Sequence, residues 1–169
     1  MNVVPLNAPR LVGDLMASEP IVVQADAGLA EAATLMDRHG ISGLPVVDGG
    51  GLLVGVVSES DLLRARATES LWANRDHLRI RNLMTSPALT ITRDEPLTQA
   101  ARRMERHHVS RLVVVADDDP SRPVGILAAA DLIRAMAAAA EPGDEPGDEP
   151  AAAREAAVPA PVDGDAEGD

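Results

Sequence analysis

A serine and an aspartate three residues apart lie where an apolar stretch gives way to a polar one. Ser58 and Asp61 follow the run Leu52–Val57, and Asp131 holds the same place after the run Pro123–Leu127. The pattern is typical of a strand that leads directly into a helix, with the hydroxyl and the carboxylate at the helix N-terminus. Backbone N–H groups at that end favour anions, and a carboxylate can accept hydrogen bonds from sugar hydroxyls. These residues could therefore bind a phosphorylated sugar.

An alternative explanation is that both side chains serve the helix alone. Ser58 has the residue type of an N-cap, and Asp61 is an acid in the first turn, where it complements the helix dipole. For a single copy this explanation is favoured. Two matched copies shift the balance toward a binding site.

An internal repeat accounts for the two copies. Met16 and Met84 are 68 residues apart, and matched positions keep that offset up to the second hairpin loop. That loop is two residues longer, so Asp61 and Asp131 are 70 residues apart. Apolar positions of one copy coincide with apolar positions of the other, and both copies therefore predict the same fold.

Each copy predicts the order strand, helix, strand, strand, helix. In the first copy a short strand at Ile21–Val23 precedes an amphipathic helix that Asp26 caps and Gly40 ends. The strands Leu44–Val47 and Leu52–Val57 then form a hairpin before the last helix. Neither unit, at roughly 60 residues, would bury enough surface alone. The predicted fold class is therefore α+β, with two pseudo-symmetric units packed face to face.

The expected organisation has four parts. The first unit covers residues 10–67, a helical linker 68–79, the second unit 80–138, and a disordered tail 141–169. In the linker we expect Trp72 to be a packing anchor, because a tryptophan buries a large area. The tail contains ten acids and one arginine and is rich in proline and glycine, so it lacks the residues that form a core.

Composition excludes several classes of function. The 169 residues include no cysteine, which rules out disulfides and thiol chemistry. The tail supplies most of the net charge of −12, so the rest is nearly neutral and lacks the basic face of a nucleic-acid-binding protein. No apolar run approaches the ~20 residues of a membrane span, and no signal peptide is recognisable. We therefore expect a soluble, cytoplasmic protein that binds neither nucleic acid nor membrane.

The sequence carries no recognisable catalytic or metal-binding pattern. The matched His39 and His107 could form a metal pair, but histidines near helix C-termini ordinarily complement the helix dipole. A Walker-type phosphate loop, a Ser/His/Asp arrangement and zinc-ligand spacing are all missing from the sequence. We therefore expect no catalytic residues, no metal site and no enzymatic activity.

The two units resemble the CBS motif, named after cystathionine β-synthase, and the pair resembles a Bateman module. The resemblance implies a stand-alone CBS pair with clefts between its motifs that bind AMP, ADP, ATP or S-adenosylmethionine. It also implies that the protein senses this ligand and regulates another protein, with no cofactor required. The resemblance covers about residues 10–138 and rests on matches at Asp14–Met16, His39–Asp48, Val54–Leu63, Asn82–Thr85, His108–Val115 and Val124–Asp131.

The resemblance also assigns roles to individual residues. Ser58 and Asp61 would bind phosphate and ribose, and Arg111 would reach a phosphate. Apolar side chains of the strands would hold the adenine. The complete predicted nucleotide-binding set is Ser58, Asp61, Ile41, Ser42, Pro45, Val109, Ser110, Arg111 and Asp131, with Ile41, Pro45 and Val109 as the adenine contacts.

The two copies differ at two positions near this set. Ala128 replaces the hydroxyl of Ser58 ahead of Asp131, and Gly43 stands where the second copy has Arg111. We therefore expect two unequal sites, with the tighter one at Ser58.

Two alternative functions stay open. The chain could be a structural or protein-interaction module with empty clefts, or the regulatory subunit of an unidentified enzyme. A homodimer is expected in each case, because the apolar faces of the last helices exceed what a small core needs. These faces include Leu62, Leu63, Leu132 and Ile133.

Overall fold

The computed structural model describes residues 10–67 and 78–140. The acidic tail and most of the predicted linker, Trp72 included, lie outside the described residues. The described residues form an α+β fold of two units, each with its own sheet and its own core.

Helices and strands follow the predicted order in both units. The helices are α1 (Val12–Leu15), α2 (Leu29–His39), α3 (Glu59–Ala67), α4 (Leu97–His107) and α5 (Ala129–Ala140), with a 3-10 turn at Ile80–Asn82. The strands are β1 (Ala17–Ser18), β2 (Val23–Gln24), β3 (Gly43–Val47), β4 (Leu53–Ser58), β5 (Thr90–Thr92), β6 (Arg111–Val115) and β7 (Pro123–Ala128).

Three strands of each sheet are arranged in the same way, and the second sheet has a fourth strand. The first has the order β2-β3-β4, with β2 parallel and β4 antiparallel to β3. The second has the order β1-β7-β6-β5, with β5 parallel and β7 antiparallel to β6. Pro45 lies early in the central strand β3, before pairing with β2 begins at Val46. The proline therefore precedes the residues of β3 that pair with β2.

The helices α2 and α4 bury the apolar faces that the sequence predicts. Ala32 and Met36 of α2 are buried in the first core, and the matched Ala100 and Met104 of α4 are buried in the second. Gly40 ends α2 in the left-handed conformation, with φ of 61°, as a C-terminal glycine is expected to do.

The predicted cap of α2 is wrong. The N-cap is Gly28, without a side-chain hydrogen bond, and Asp26 forms an ion pair with Arg81 instead. Asp26 lies in a turn with Ala25, three residues before α2 begins at Leu29, and its carboxylate contacts Arg81 rather than the first helical N–H groups.

The first turn of each unit completes the core of the other unit. Val12 of α1 is fully buried in the second core, and its N–H donates to the carbonyl of Glu95 at 2.9 Å. Ile80 is fully buried in the first core, and its N–H donates to the carbonyl of Ala27 at 3.0 Å. The two units are therefore joined by an exchange of short segments.

Beyond these turns the chain runs along the sheet of the opposite unit. Strand β1 pairs with β7, with Ala17 opposite Ile126. At the matched place Thr85 and Val56 exchange backbone hydrogen bonds of 2.9 and 3.0 Å.

Two matched glycines make room for the exchanged segments. A Cβ at Gly55 would lie 2.7 Å from the sulfur of Met84, and one at Gly125 would lie 2.8 Å from the sulfur of Met16. Real Cβ atoms do not approach other atoms this closely, so glycine is required where the chains cross.

The helices in residues 10–67 and 78–140 are short. The longest, α5, has 12 residues, and within this part of the chain no helix has the length and apolar character that a bilayer span requires.

Candidate functional site

The junction of β4 and α3 holds Ser58 and Asp61 in direct contact. The carboxylate oxygen Oδ2 of Asp61 accepts hydrogen bonds from the N–H of Ser58 at 2.9 Å and from its hydroxyl at 2.6 Å. Arg64 donates to the other oxygen at 3.3 Å. The carboxylate of Asp61, rather than the hydroxyl of Ser58, therefore receives the N–H group at the helix start.

The junction of β7 and α5 repeats this arrangement without the hydroxyl. Asp131 accepts a hydrogen bond from the N–H of Ala128 at 2.8 Å, and Arg134 donates to its other oxygen at 2.8 Å. The Asp131 side chain is 24% exposed, against 13% for Asp61. Both aspartates thus have a structural role and keep a face open to solvent.

Each junction borders a cleft between the two units. The cleft beside Ser58 and Asp61, named cleft A, has a volume of about 270 Å³. Its opposite wall comes from the second unit, with the half-buried Val109 and Leu89 as apolar surfaces. The residues that define cleft A are Ser58, Ser60, Asp61, Thr85, Leu89, His108, Val109, Ser110 and Arg111, with Val56, Arg64 and Val113 at its margin.

The cleft beside Asp131, named cleft B, has a volume of about 490 Å³. Ile41 and Ile21 of the first unit form its apolar wall, at positions that match Val109 and Leu89 in cleft A. The residues that define cleft B are Ala17, Ser18, Glu19, Pro20, Ile21, His39, Gly40, Ile41, Ser42, Gly43, Arg111, Ile126, Ala128, Ala130, Asp131 and Arg134. Each cleft is close to or within the range of about 300–1,000 Å³ that small-molecule sites occupy.

Eight of the nine predicted site residues line these two clefts. They divide into a set in cleft A (Ser58, Asp61, Val109, Ser110 and Arg111) and a set in cleft B (Ile41, Ser42, Asp131 and again Arg111). The structure does not bring Pro45 to either cleft. Its side chain is less than 2% exposed, because both faces of β3 are buried.

Arg111 is the residue that the two described clefts have in common. Its Nη2 donates to the hydroxyl of Ser42 at 3.1 Å. Partial burial lowers the pKa of the Arg111 guanidinium, and the nearby carboxylates of Glu59 and Asp61 act in the opposite direction. The guanidinium stays charged, because the pKa of arginine is far above neutrality.

The exchanged segments and the residues that directly follow them contribute cleft residues that the sequence analysis missed. Thr85 and Leu89 line cleft A, and the matched Ala17 and Ile21 line cleft B. The repeat contained a signal for them, since both pairs keep the offset of 68. Their place in the clefts became visible only with the exchange of segments.

Histidines reach both clefts without forming a metal site. His108 lines cleft A and His39 lines cleft B, so the matched His39 and His107 do not lie in one cleft. Among the residues that the structure describes, no group of three or more His, Asp or Glu side chains could hold a metal ion.

This combination of repeat, exchanged turns and paired clefts defines a tandem CBS module. The family model for the CBS domain matches residues 12–68 and 80–138, and the chain belongs to this family. The predicted resemblance to a CBS pair, or Bateman module, is thereby confirmed, as is the α+β fold of two CBS motifs.

Solved CBS pairs with bound ligands have a similar fold. The CBS domain pair of protein MJ0100, in complex with 5′-methylthioadenosine and S-adenosyl-L-methionine, is 30% identical with a TM-score of 0.70. That match covers 78% of this chain and 98% of the other. CBSX2 of Arabidopsis thaliana, in complex with AMP, is 32% identical with a TM-score of 0.65, over 76% of this chain and 96% of the other.

Larger enzymes also contain a similar segment. The L-aspartate semialdehyde sulfurtransferase of Methanocaldococcus jannaschii is 33% identical over 77% of this chain, and the homoserine O-acetyltransferase of Methanococcoides burtonii is 36% identical over 73%. The chain covers 24% and 23% of the lengths of these two enzymes.

Proposed function

We propose that this protein binds an adenosine-containing ligand in the clefts between its CBS motifs and acts as a regulatory sensor for another protein. The observation that carries the proposal is the matched pair of carboxylates. Asp61 and Asp131 each stand at a helix start, and each faces an apolar wall from the other unit. A carboxylate suits the cis-diol of a ribose, the apolar wall suits adenine, and the helix start with Arg111 suits phosphate.

The ligand class agrees with the ligands of similar CBS pairs. AMP, 5′-methylthioadenosine and S-adenosylmethionine share the adenosine group and differ in charge. We propose AMP, ADP, ATP or S-adenosylmethionine as the ligand, with no further cofactor, and a regulatory rather than catalytic role. A cytoplasmic location stays a prediction from the sequence.

Calorimetric titration of the full chain with AMP, ATP and S-adenosylmethionine tests the proposal. We expect saturable binding of at least one of them, at no more than two molecules per chain. Absence of binding by all three would contradict the proposal and favour a structural module with empty clefts. The regulatory role requires a second measurement, in which capture of a binding protein changes when the bound ligand is added.

A homodimer is part of the proposal, because the helices α3 and α5 both expose large apolar side chains. Leu63 of α3 is 69% exposed, and Ile133 and Met136 of α5 are 66% and 71% exposed. Leu62 and Leu132, which the sequence analysis grouped with them, pack against the first and second cores. A second copy of the chain would cover the remaining apolar face with two-fold symmetry.

A further inference from the structure

The side chain of Arg111 lies at the boundary between cleft A and cleft B. It forms part of the lining of both, and its Nη2 donates to Ser42 in cleft B. On the other side the carboxylates of Glu59 and Asp61 are close enough to influence its pKa. One guanidinium therefore faces two ligand-sized spaces.

Gly43 provides the space that this guanidinium occupies. A Cβ at Gly43 would stand 2.6 Å from Cζ of Arg111 and closer still to Nη1. Gly43 is buried and pairs with Ser58 across β3 and β4, so the guanidinium lies beside the helix start of cleft A. In the repeat Gly43 and Arg111 are matched positions, so one motif supplies the charge and the other the space for it.

The other arginines of the clefts each form an ion pair with the aspartate of their own cleft. Arg64 donates to Asp61 in cleft A, and Arg134 donates to Asp131 in cleft B. The hydrogen bond of Arg111, in contrast, goes to a neutral hydroxyl. A phosphate offers a guanidinium two charge-assisted hydrogen bonds, which are roughly twice as strong as neutral ones. A phosphate in either cleft would therefore attract the Arg111 side chain away from Ser42.

We propose that Arg111 couples the two clefts, so that a phosphate-bearing ligand in one cleft weakens the binding of a second phosphate-bearing ligand in the other. The inference rests on the proposed function of the clefts. The guanidinium has more than one edge for paired hydrogen bonds, but the phosphate that binds first draws the side chain into its own cleft. The second phosphate then meets a cleft from which this charge has moved away. Coupling of this kind is reciprocal, and its usual size is about 5- to 150-fold.

A neutral nucleoside does not compete for the guanidinium. Adenosine has no phosphate, so its two binding events depend on the walls and on Asp61 and Asp131 alone. One chain can therefore hold a nucleotide in one cleft and an uncharged adenosine derivative in the other without loss of affinity.

Calorimetry with AMP on single-cleft variants tests the coupling. Asp61→Asn leaves cleft B as the working cleft, and Asp131→Asn leaves cleft A, while the amide oxygen still accepts the N–H of the helix start. We expect Arg111→Gln to weaken AMP binding about tenfold in both of these backgrounds. In the otherwise unchanged chain it should weaken the first AMP event alone and leave the second within about twofold. In each of these backgrounds Arg111→Gln should leave the adenosine affinity within about twofold of its value with Arg111 present.

Two further variants serve as controls. Gly43→Ala places a methyl group where the guanidinium lies and should reproduce the effect of Arg111→Gln on AMP. Arg102→Gln removes an exposed arginine of α4 outside both clefts and should change nothing.

Three outcomes would overturn the inference. One is that Arg111→Gln affects AMP in only one single-cleft background, which would assign Arg111 to one cleft. Another is that a first AMP strengthens the second. If the unchanged chain binds none of AMP, ATP and S-adenosylmethionine, the proposed function fails and the coupling with it. If AMP binding is absent while S-adenosylmethionine binds, or if Arg111→Gln does not change AMP binding, only the coupling is contradicted.

Discussion

Asp61 and Asp131 occupy matched positions but differ in one neighbour. The hydroxyl of Ser58 donates to Asp61 at 2.6 Å, whereas Ala128 has no side-chain group to offer Asp131. A hydroxyl that turns from its carboxylate to a bound phosphate exchanges one charge-assisted hydrogen bond for another, so its donor alone adds little to binding. Its oxygen can also accept a hydrogen bond from a ribose hydroxyl while it holds Asp61 in place, and such a neutral hydrogen bond contributes about 0.5–1.5 kcal/mol. Cleft A should therefore bind a nucleotide roughly two- to tenfold more tightly than cleft B.

We predict that Asp61→Ala abolishes the tighter nucleotide-binding event and that Asp131→Ala affects a weaker event or none. Calorimetric titration of both variants beside the unchanged protein measures this. Asp61→Asn is the control for the helix start, because it keeps an acceptor for the N–H of Ser58. Loss of the tight event in Asp131→Ala, with Asp61→Ala unaffected, would reverse the order of the two clefts.

The sequence could predict the chemical groups of the site but not how they are shared. The aspartates followed from the repeat, because each lies at a fixed distance after an apolar strand. The position of Arg111 could not follow from it, since the matched offset says only that Arg111 and Gly43 correspond. The close approach of the Arg111 side chain to Gly43 results from the packing of the two units against each other. Pro45 shows the same limit, because both faces of β3 are covered by packing that the sequence of the strand does not reveal.

At the scale of elements, the regular helices and the hairpins were the most predictable parts. The apolar stripe of Leu29–His39 is a local pattern, and the observed α2 follows it closely. The segments α1 and Ile80–Asn82 are four and three residues long, too short to carry any period. Their destination in the opposite core is set by tertiary packing alone.

We predict that Gly55→Ala destabilises the protein by about 1–3 kcal/mol, because the added methyl group would overlap Met84 and the carbonyl of Thr85. Equilibrium denaturation in urea measures the difference. Gly49→Ala is the matched control, since Gly49 is exposed and nothing lies within 4 Å of its would-be Cβ. Equal stability of the two variants would show that the crossing can shift to admit a side chain.

At the scale of the whole molecule, the exposed face of α3 and α5 predicts assembly. We expect a homodimer by light scattering at micromolar concentration, and a monomer when Leu63→Asp and Ile133→Asp are combined. Both side chains are about two-thirds exposed, so the fold of the single chain should tolerate the charges. Leu52→Asp, at an exposed apolar residue next to a hairpin turn, should leave the dimer intact. A monomeric unchanged protein would refute the assignment of this face.

A second prediction at this scale concerns the acidic C-terminal segment. Deletion of residues 141–169 should leave the melting temperature and nucleotide binding unchanged, because that segment is rich in acids, proline and glycine and poor in core-forming residues. Thermal unfolding and calorimetry of the shortened chain measure both properties. A large fall in melting temperature would show that the segment contributes to the fold.

The exchanged turns also determine where this chain can be recombined with a related one. A chimera joined between residues 67 and 80 would take Val12 from one parent and the core around Ile91 from the other, and the mismatch would recur at Ile80 and Leu44. Each structural half is therefore discontinuous in sequence. Residues 12–18 belong structurally to the second sheet, and residues 80–85 belong to the first. The lining of cleft A comes from residues 56–64, 85–89 and 108–113, so grafting its ligand specificity from another CBS pair means transplanting three segments of sequence together.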